Sequence, residues 1–142
     1  MKLKEIIEGL EIDSIRGDSD PAIGKITFDS REVGLGDLFV AVRGTQADGH
    51  NYLASALDAG AAALVCEELP EDLEAGIPLI CVPDSRKALA HMAANWYAHP
   101  SAELSLVGVT GTNGKTTVAT LLHRMHQNMD FKAGLISTIQ VL

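Results

Sequence analysis

The sequence predicts an α/β protein made of two successive units, the second of which is truncated. Short apolar, β-branched runs alternate with helical patterns in the first part of the chain. After His99-Pro100, a glycine-rich loop joins an apolar strand to an amphipathic helix. We therefore expect a small α/β domain at residues 1–102 and the first strand–loop–helix–strand of a doubly wound domain at 103–142.

The composition is that of a soluble globular protein. The 142 residues are 46% hydrophobic and 21% charged, and the net charge is −8. This acidity counts against a general nucleic-acid or anionic-membrane surface, and no apolar run could span a bilayer. Cys66 and Cys81 lie in apolar strand-like runs, which is typical of reduced core thiols. We expect a cytoplasmic protein with no nucleic-acid or membrane partner and no obligate protein partner.

The first unit opens with a predicted helix and two strands. The helix has apolar residues at i, i+3, i+4 and i+7, namely Leu3, Ile6, Ile7 and Leu10. Strands are predicted at 26–28 and 38–42. Asp29 and Arg31 lie where the first of these strands ends, and either an ion pair that fixes the fold or a ligand contact is compatible with their positions.

The remainder of the first unit repeats the alternation of helix and strand. A helix with Leu53, Ala56 and Leu57 on one face precedes predicted strands at 62–66 and 79–82. Asp84-Ser85 is a typical N-cap sequence for the last helix, which His99-Pro100 ends. That helix is expected to bury Leu89, Met92, Ala93 and Trp96.

The second unit is predicted as strand 104–109, a loop, a helix, and a further strand that begins at 134–136. The apolar face of the helix is formed by Val118, Leu121, Leu122 and Met125. His123 and His126 are expected on a solvated helix face rather than in a metal site. Because a single crossover leaves its strands without partners, we expect the chain to be the amino-terminal portion of a longer protein.

The glycine-rich loop between this strand and helix predicts a phosphate site. Glycines allow backbone N–H groups to point inward, and the helix adds the positive end of its dipole. Lys115 would reach the β- and γ-phosphates of ATP as the catalytic charge, and the Thr116 hydroxyl would bind Mg²⁺. The candidate nucleotide-binding residues are Gly111, Thr112, Asn113, Gly114, Lys115, Thr116 and Thr117.

The sequence of the loop is distinctive, because Val109 occupies a position where the general P-loop pattern has glycine. The resulting spacing resembles the ATP loop of the Mur ligases, the ATP-dependent amide ligases of bacterial cell-wall synthesis, and the folylpolyglutamate synthetases have a similar loop. Four further segments resemble the UDP-sugar-binding domain shared by the MurE and MurF types. They are 29–31, 36–44, 48–52 and 59–61.

Within that pair, Thr112 and the run Gln46-Ala47-Asp48 are more similar to the MurE type. The resemblance implies an ATP-dependent ligase that joins meso-diaminopimelate or L-lysine to UDP-N-acetylmuramoyl-L-Ala-D-Glu through an acyl phosphate. It also implies substrate contacts from Ser30, Thr45, Gln46 and Ala47. Thr45 stands where some relatives have histidine.

Several alternatives remain open on the sequence. A MurF-type ligase that adds D-Ala-D-Ala, or a non-catalytic UDP-sugar- or nucleotide-binding module, would share many of these motifs. The choice between diaminopimelate and lysine is also open. His50 is compatible with a turn or capping role and with a ligand contact. The remaining ligase parts, including a second Mg²⁺ carboxylate, are expected beyond residue 142, so that this chain alone should not catalyse ligation.

Overall fold

The structure is a computed structural model that describes residues 1–44, 47–70, 73, 76–139 and 141. It divides into two compact units, Met1–Glu103 and Leu104–Leu142. The helices are α1 (Leu3–Ile6), α2 (Leu53–Asp58), α3 (Ser85–Trp96) and α4 (Lys115–Asn128). The strands are β1 (Ser14–Arg16), β2 (Ile26–Thr27), β3 (Leu38–Val40), β4 (Ala63–Cys66) and β5 (Leu79–Cys81). Short 3-10 helices cover Ser30–Glu32, Gly49–Tyr52 and Pro100–Ala102.

The first unit contains a mixed sheet with the strand order β1-β5-β4-β3-β2. Strands β2 to β5 are parallel to their neighbours, and β1 pairs antiparallel with β5. The predicted strands at 26–28, 38–42, 62–66 and 79–82 are confirmed as β2 to β5 in slightly shorter form. The sequence did not indicate β1, because its three residues are all exposed and its conformation depends on pairing with β5.

Both faces of the sheet are covered, which explains the continuous apolar runs of its inner strands. On one face Val40, Val65 and Ile80 pack with residues of α1 and α3 such as Ile6 and Met92. On the other face the alternate strand residues pack with α2. This second cluster comprises Phe39, Ala41, Leu53, Ala56, Ala61, Leu64, Cys66 and Leu79.

Helix α3 begins and ends where its sequence predicts. The carboxylate of Asp84 accepts hydrogen bonds from the backbone N–H groups of Arg86 and Lys87, each at 3.0 Å. These bonds satisfy two of the N–H groups that a helix leaves free at its start, so the predicted N-cap is confirmed. After Trp96, His99 has a left-handed φ of 53° immediately before Pro100, and the helix does not continue.

The second unit differs from its prediction. Helix α4 is formed, but residues 104–109 are not a strand, and near 134–136 there is only an isolated bridge between Ile136 and Val141. A strand needs a hydrogen-bonded neighbour, and the described residues of this unit supply none for 104–109. Val118, Leu121 and Met125 are accordingly 46%, 60% and 50% exposed rather than buried.

The prediction for His123 was wrong. This side chain is 7% exposed, and its Nε2 lies 3.1 Å from the carbonyl oxygen of Ala133. It faces the segment that follows the helix and not the solvent, because the chain turns back after Met129 toward the same side of α4. His126 is partly buried and its Nδ1 lies 2.8 Å from the Leu122 carbonyl oxygen. No helix among the described residues is both long enough and apolar enough to cross a membrane.

Candidate functional site

The carboxyl ends of β2 to β5 meet at one edge of the sheet, since these strands are parallel. The 3-10 helix Ser30–Glu32 follows β2, and the loop that contains Ala47 follows β3. Glu67 follows β4, and Asp84 follows β5. In open α/β sheets ligands bind outside the carboxyl ends of the strands, so this edge is the candidate site of the first unit.

Ser30 is half-buried and begins the 3-10 helix after β2. The preceding Asp29 caps this helix by accepting a hydrogen bond from the Arg31 backbone N–H at 3.0 Å. The Arg31 guanidinium contacts the same carboxylate through Nε at 2.9 Å and Nη2 at 2.6 Å. Asp29 and Arg31 thus form the ion pair that the sequence allowed, and the pair fixes the backbone on both sides of Ser30.

Arg31 also controls the ionisation of Asp29. Hydrogen bonds from its side chain, and then from its backbone N–H, lower the pKa of the Asp29 carboxyl to about 2 from the ordinary 3.8. The Arg31 side chain is 86% exposed, so its remaining N–H groups face solvent at the edge.

The loop after β3 is closed by backbone hydrogen bonds. The Gly44 N–H donates to the Ala47 carbonyl at 2.9 Å, and the Gly49 N–H donates to the Val42 carbonyl at 3.0 Å. A Cβ atom at position 49 would lie 2.7 Å from the Val42 nitrogen, so only glycine fits there. Ala47 is exposed on this loop. The other two predicted contact residues of the loop, Thr45 and Gln46, lie outside the described residues.

His50 is held on both sides of its ring. Its Nδ1 lies 2.6 Å from Asp48 Oδ1, and its Nε2 accepts a hydrogen bond from the Glu67 backbone N–H at 2.9 Å. Asp48 also caps the 3-10 helix Gly49–Tyr52 by accepting from the His50 backbone N–H. Of the two roles that the sequence left open for His50, the structure shows the turn role, since both of its ring nitrogens bond within the protein and Asp48 provides the cap.

Two charged residues that sequence reasoning did not select lie beside His50. Glu67 accepts hydrogen bonds from the Ser85 backbone N–H at 3.0 Å and from its hydroxyl at 2.8 Å. These bonds, that from the backbone first, lower the pKa of the Glu67 carboxyl. Arg43 Nε lies 3.4 Å from Glu67 Oε2 and 3.7 Å from Asp48 Oδ2. The available signal was positional, because both residues come just after buried strands.

The glycine-rich loop of the second unit contains two glycines with positive φ angles. Gly111 and Gly114 have φ angles of 145° and 75°, which side chains disfavour, and Gly114 caps α4. The first N–H groups of α4 have no helical acceptor and are available to an anion. Lys115 Nζ lies 2.6 Å from the Gly111 carbonyl oxygen and 3.5 Å from that of Thr112, so the lysine bends back over the loop.

Comparison with known proteins assigns both units. Residues 22–97 match the family model described as Mur ligase family, catalytic domain, and residues 109–142 match the Mur ligase middle domain. The chain belongs to the Mur ligase family. The middle-domain match implies ATP binding.

Curated relatives of this Mur ligase chain include three UDP-N-acetylmuramoyl-L-alanyl-D-glutamate--2,6-diaminopimelate ligases. Those of Parabacteroides distasonis and Bacteroides fragilis are 51% and 49% identical to it, and that of Clostridioides difficile is 41% identical. The alignments cover 98–99% of the chain and 29% of each relative. The chain therefore spans less than a third of the length of these relatives.

Solved structures with the same fold include MurF ligases. A MurF crystal structure from Acinetobacter baumannii has a TM-score of 0.64 and 29% identity, over 89% of this chain and 27% of that one. MurF from Thermotoga maritima in complex with ADP has a TM-score of 0.55 and 32% identity, over 78% and 25% of the two chains.

Thr116 is the residue of this chain that the sequence predicts as a Mg²⁺ contact. Thr116 is half-buried in the first turn of α4, as a Mg²⁺-binding hydroxyl would be. Among the described residues there is no cluster of three His, Cys, Asp or Glu side chains that could hold a metal ion.

The two cysteines are buried and free, and burial raises the pKa of the Cys66 thiol to about 11, as expected for a core thiol.

Proposed function

We propose that this chain is the amino-terminal portion of a MurE-type ligase, which joins 2,6-diaminopimelate to UDP-N-acetylmuramoyl-L-alanyl-D-glutamate. The observation that carries the proposal is the alignment of nearly the whole chain, including both the sheet edge and the glycine-rich loop, with diaminopimelate ligases at up to 51% identity. Their names favour diaminopimelate over L-lysine as the acceptor. We place the protein in the cytoplasm, where ATP is available and core thiols stay reduced.

The sheet edge of the first unit is the proposed UDP-sugar site. A nucleotide sugar needs a few well-placed hydroxyl and backbone groups, and the edge offers them on neighbouring parallel strands. Ser30, beside the Asp29–Arg31 pair, would contribute a hydroxyl after β2. Thr45, Gln46 and Ala47 would contact the UDP-sugar from the loop after β3, in large part through their backbone.

The glycine-rich loop is the proposed ATP site. The γ-phosphoryl group would pass to the D-Glu side-chain carboxylate, and the acceptor amine would then displace phosphate to form the amide. Such transfers depend on positioning and charge neutralisation, which the backbone N–H groups of the loop and Lys115 would supply. Bound Mg²⁺ would neutralise further phosphate charge, and Thr116 is the residue of this chain proposed to hold it.

Calorimetry with UDP-N-acetylmuramoyl-L-alanyl-D-glutamate tests the UDP-sugar site on the 142-residue chain. We expect Ser30→Ala to weaken binding about 5- to 15-fold, the effect of losing one hydrogen bond of about 1–1.5 kcal/mol. Ser19→Ala, at an exposed serine in the loop between β1 and β2, is the matched control and should bind like the wild type. Equal affinity of all three proteins would remove Ser30 from the site.

A MurF-type activity is the second candidate, because one of the solved structures is named as a D-alanyl-D-alanyl ligase. That protein from Acinetobacter baumannii is 30% identical to this chain, whereas the diaminopimelate ligase of Parabacteroides distasonis is 51% identical. The difference favours diaminopimelate. The two activities are separated by supplying either diaminopimelate or D-alanyl-D-alanine as the acceptor. The enzyme in this test is a protein that contains this sequence and is as long as the relatives.

A further inference from the structure

We propose that His50 is a positioning residue, which clamps the loop between β3 and α2 onto the end of β4 through its neutral tautomer with the proton on Nδ1. The clamp itself is read from the geometry alone. Its consequence for substrate binding rests on the proposed function, because that loop contains Ala47, a proposed UDP-sugar contact.

The partners of the ring fix the position of its proton. Nδ1 lies 2.6 Å from Asp48 Oδ1, and an ionised carboxylate only accepts hydrogen bonds, so Nδ1 carries the proton. Nε2 lies 2.9 Å from the Glu67 backbone nitrogen, whose N–H only donates, so Nε2 carries a lone pair. Both bonds exist together only in this tautomer, and a second proton on the ring would remove the bond to Glu67.

The clamp connects three segments that are distant in sequence. His50 is 14% exposed, and the charged groups around it are Asp48 on its own segment, Glu67 at the end of β4, and Arg43 at the end of β3. Glu67 is bound in turn to the first residue of α3, Ser85. The loop is therefore fastened to the end of β4 and, through Glu67, to the start of α3.

A loop that is ordered before its ligand arrives loses less conformational entropy on binding. Gly44 and Ala47 are joined by a backbone hydrogen bond within this loop, and the bridge between Arg43 and Asp48 closes its base. Releasing His50 would loosen that base. The affinity for the UDP-sugar should fall, whereas nucleotide binding at the glycine-rich loop should not change.

Three substitutions at His50 test its two ring hydrogen bonds separately and together. His50→Gln keeps an acceptor for the Glu67 N–H, His50→Asn keeps a donor for Asp48, and His50→Phe keeps the ring shape and loses both. His91→Gln is the matched control, because the Nε2 of His91 also bonds to the backbone, at the Glu8 carbonyl oxygen, but on α3. Calorimetry with UDP-N-acetylmuramoyl-L-alanyl-D-glutamate should show about tenfold weaker binding for Phe, at most about threefold weaker for Gln, and no change for the control.

Nuclear magnetic resonance tests the clamp without substrate. Long-range ¹⁵N–¹H spectra of the 142-residue chain should show a protonated Nδ1 and an unprotonated Nε2 at His50. The Glu67 amide should exchange slowly in the wild type and in His50→Gln, and faster in His50→Phe and His50→Asn.

The outcomes separate this proposal from the proposed function. A proton on Nε2, or a folded His50→Phe protein with unchanged Glu67 exchange and unchanged affinity, would overturn the clamp. If the wild type binds no UDP-sugar, the proposed function fails at this unit, and the ring tautomer and Glu67 exchange still decide the clamp. Should His50→Phe not fold, the wild-type tautomer and the contrast between Gln and Asn provide the same decision.

Discussion

Single residues at the sheet edge are fixed by their immediate sequence neighbours. Asp29 caps the turn after β2, and its carboxylate is bound by Arg31 two positions later. In the same way, Asp48 caps the turn that precedes α2, and its carboxylate is bound by His50 two positions later. Each of these carboxylates accepts bonds from both the backbone and the side chain of its partner. This repeated arrangement fixes the backbone of the two turns, at residues 29–31 and 48–50.

The Asp29–Arg31 pair predicts a pH dependence. Because the pKa of Asp29 is about 2 in the folded chain and ordinarily 3.8, the pair stabilises the fold above pH about 4. That contribution is lost as the pH falls from about 4 through 2. A ¹³C titration of the Asp29 carboxyl should give a value near 2 in the wild type and one closer to 3.8 in Arg31→Gln. Titration at the same pH in both proteins would contradict this role of Arg31.

Gly49 is predicted to be irreplaceable for packing reasons. In Gly49→Ala the new Cβ would lie 2.7 Å from the nitrogen and 2.9 Å from the oxygen of Val42, both atoms of the backbone that follows β3. We expect a loss of about 1–3 kcal/mol in the free energy of unfolding, measured in urea. Gly24→Ala is the control, since its Cβ would be 3.5 Å from the Asp37 carboxylate, an ordinary contact. Equal stability of the two variants would contradict this prediction, because it would show that the backbone around Gly49 shifts to accommodate the Cβ.

At the scale of elements, the sequence predicts a helix or strand where its own residues carry a burial pattern or a capping signal. Strands β3 and β4 are continuous apolar runs, which is typical of parallel strands covered on both faces, and α3 has both a cap and a proline stop. Strand β1 carries no such pattern, because an exposed edge strand buries none of its side chains. The apolar run 104–109 has the composition of a strand, but composition alone does not supply the neighbour that makes a strand.

The cap of α3 gives a quantitative test at this scale. Asp84→Ala would leave the Arg86 and Lys87 N–H groups without their acceptor and should cost about 1 kcal/mol of unfolding free energy. Asp84→Asn keeps a capping oxygen and should cost much less. Urea unfolding with an unchanged slope would measure both. A cost of the same size for the two variants would assign the effect to the charge of Asp84 and not to its hydrogen bonds.

The whole molecule combines features that sequence could reveal with others that only the fold assembles. The glycine-rich loop and Ser30 are local motifs, and a resemblance could identify them. Arg43, Glu67 and Ser85 meet only because β3 and β4 end, and α3 begins, at the same edge of the sheet, and no spacing between them predicts this. Similarly, burial of His123 depends on the chain returning to Ala133 after α4.

The central claim is that this sequence belongs to a ligase that adds diaminopimelate to a UDP-sugar dipeptide. Its most direct test is mass spectrometry of the products formed by a protein that carries the sequence at the length of its relatives. With ATP, Mg²⁺ and UDP-N-acetylmuramoyl-L-alanyl-D-glutamate, we expect the diaminopimelate tripeptide with meso-diaminopimelate, little product with L-lysine, and none in Lys115→Ala. The claim would be contradicted if the protein ligated D-alanyl-D-alanine to the tripeptide precursor instead, or if a folded wild type bound both substrates and formed no amide.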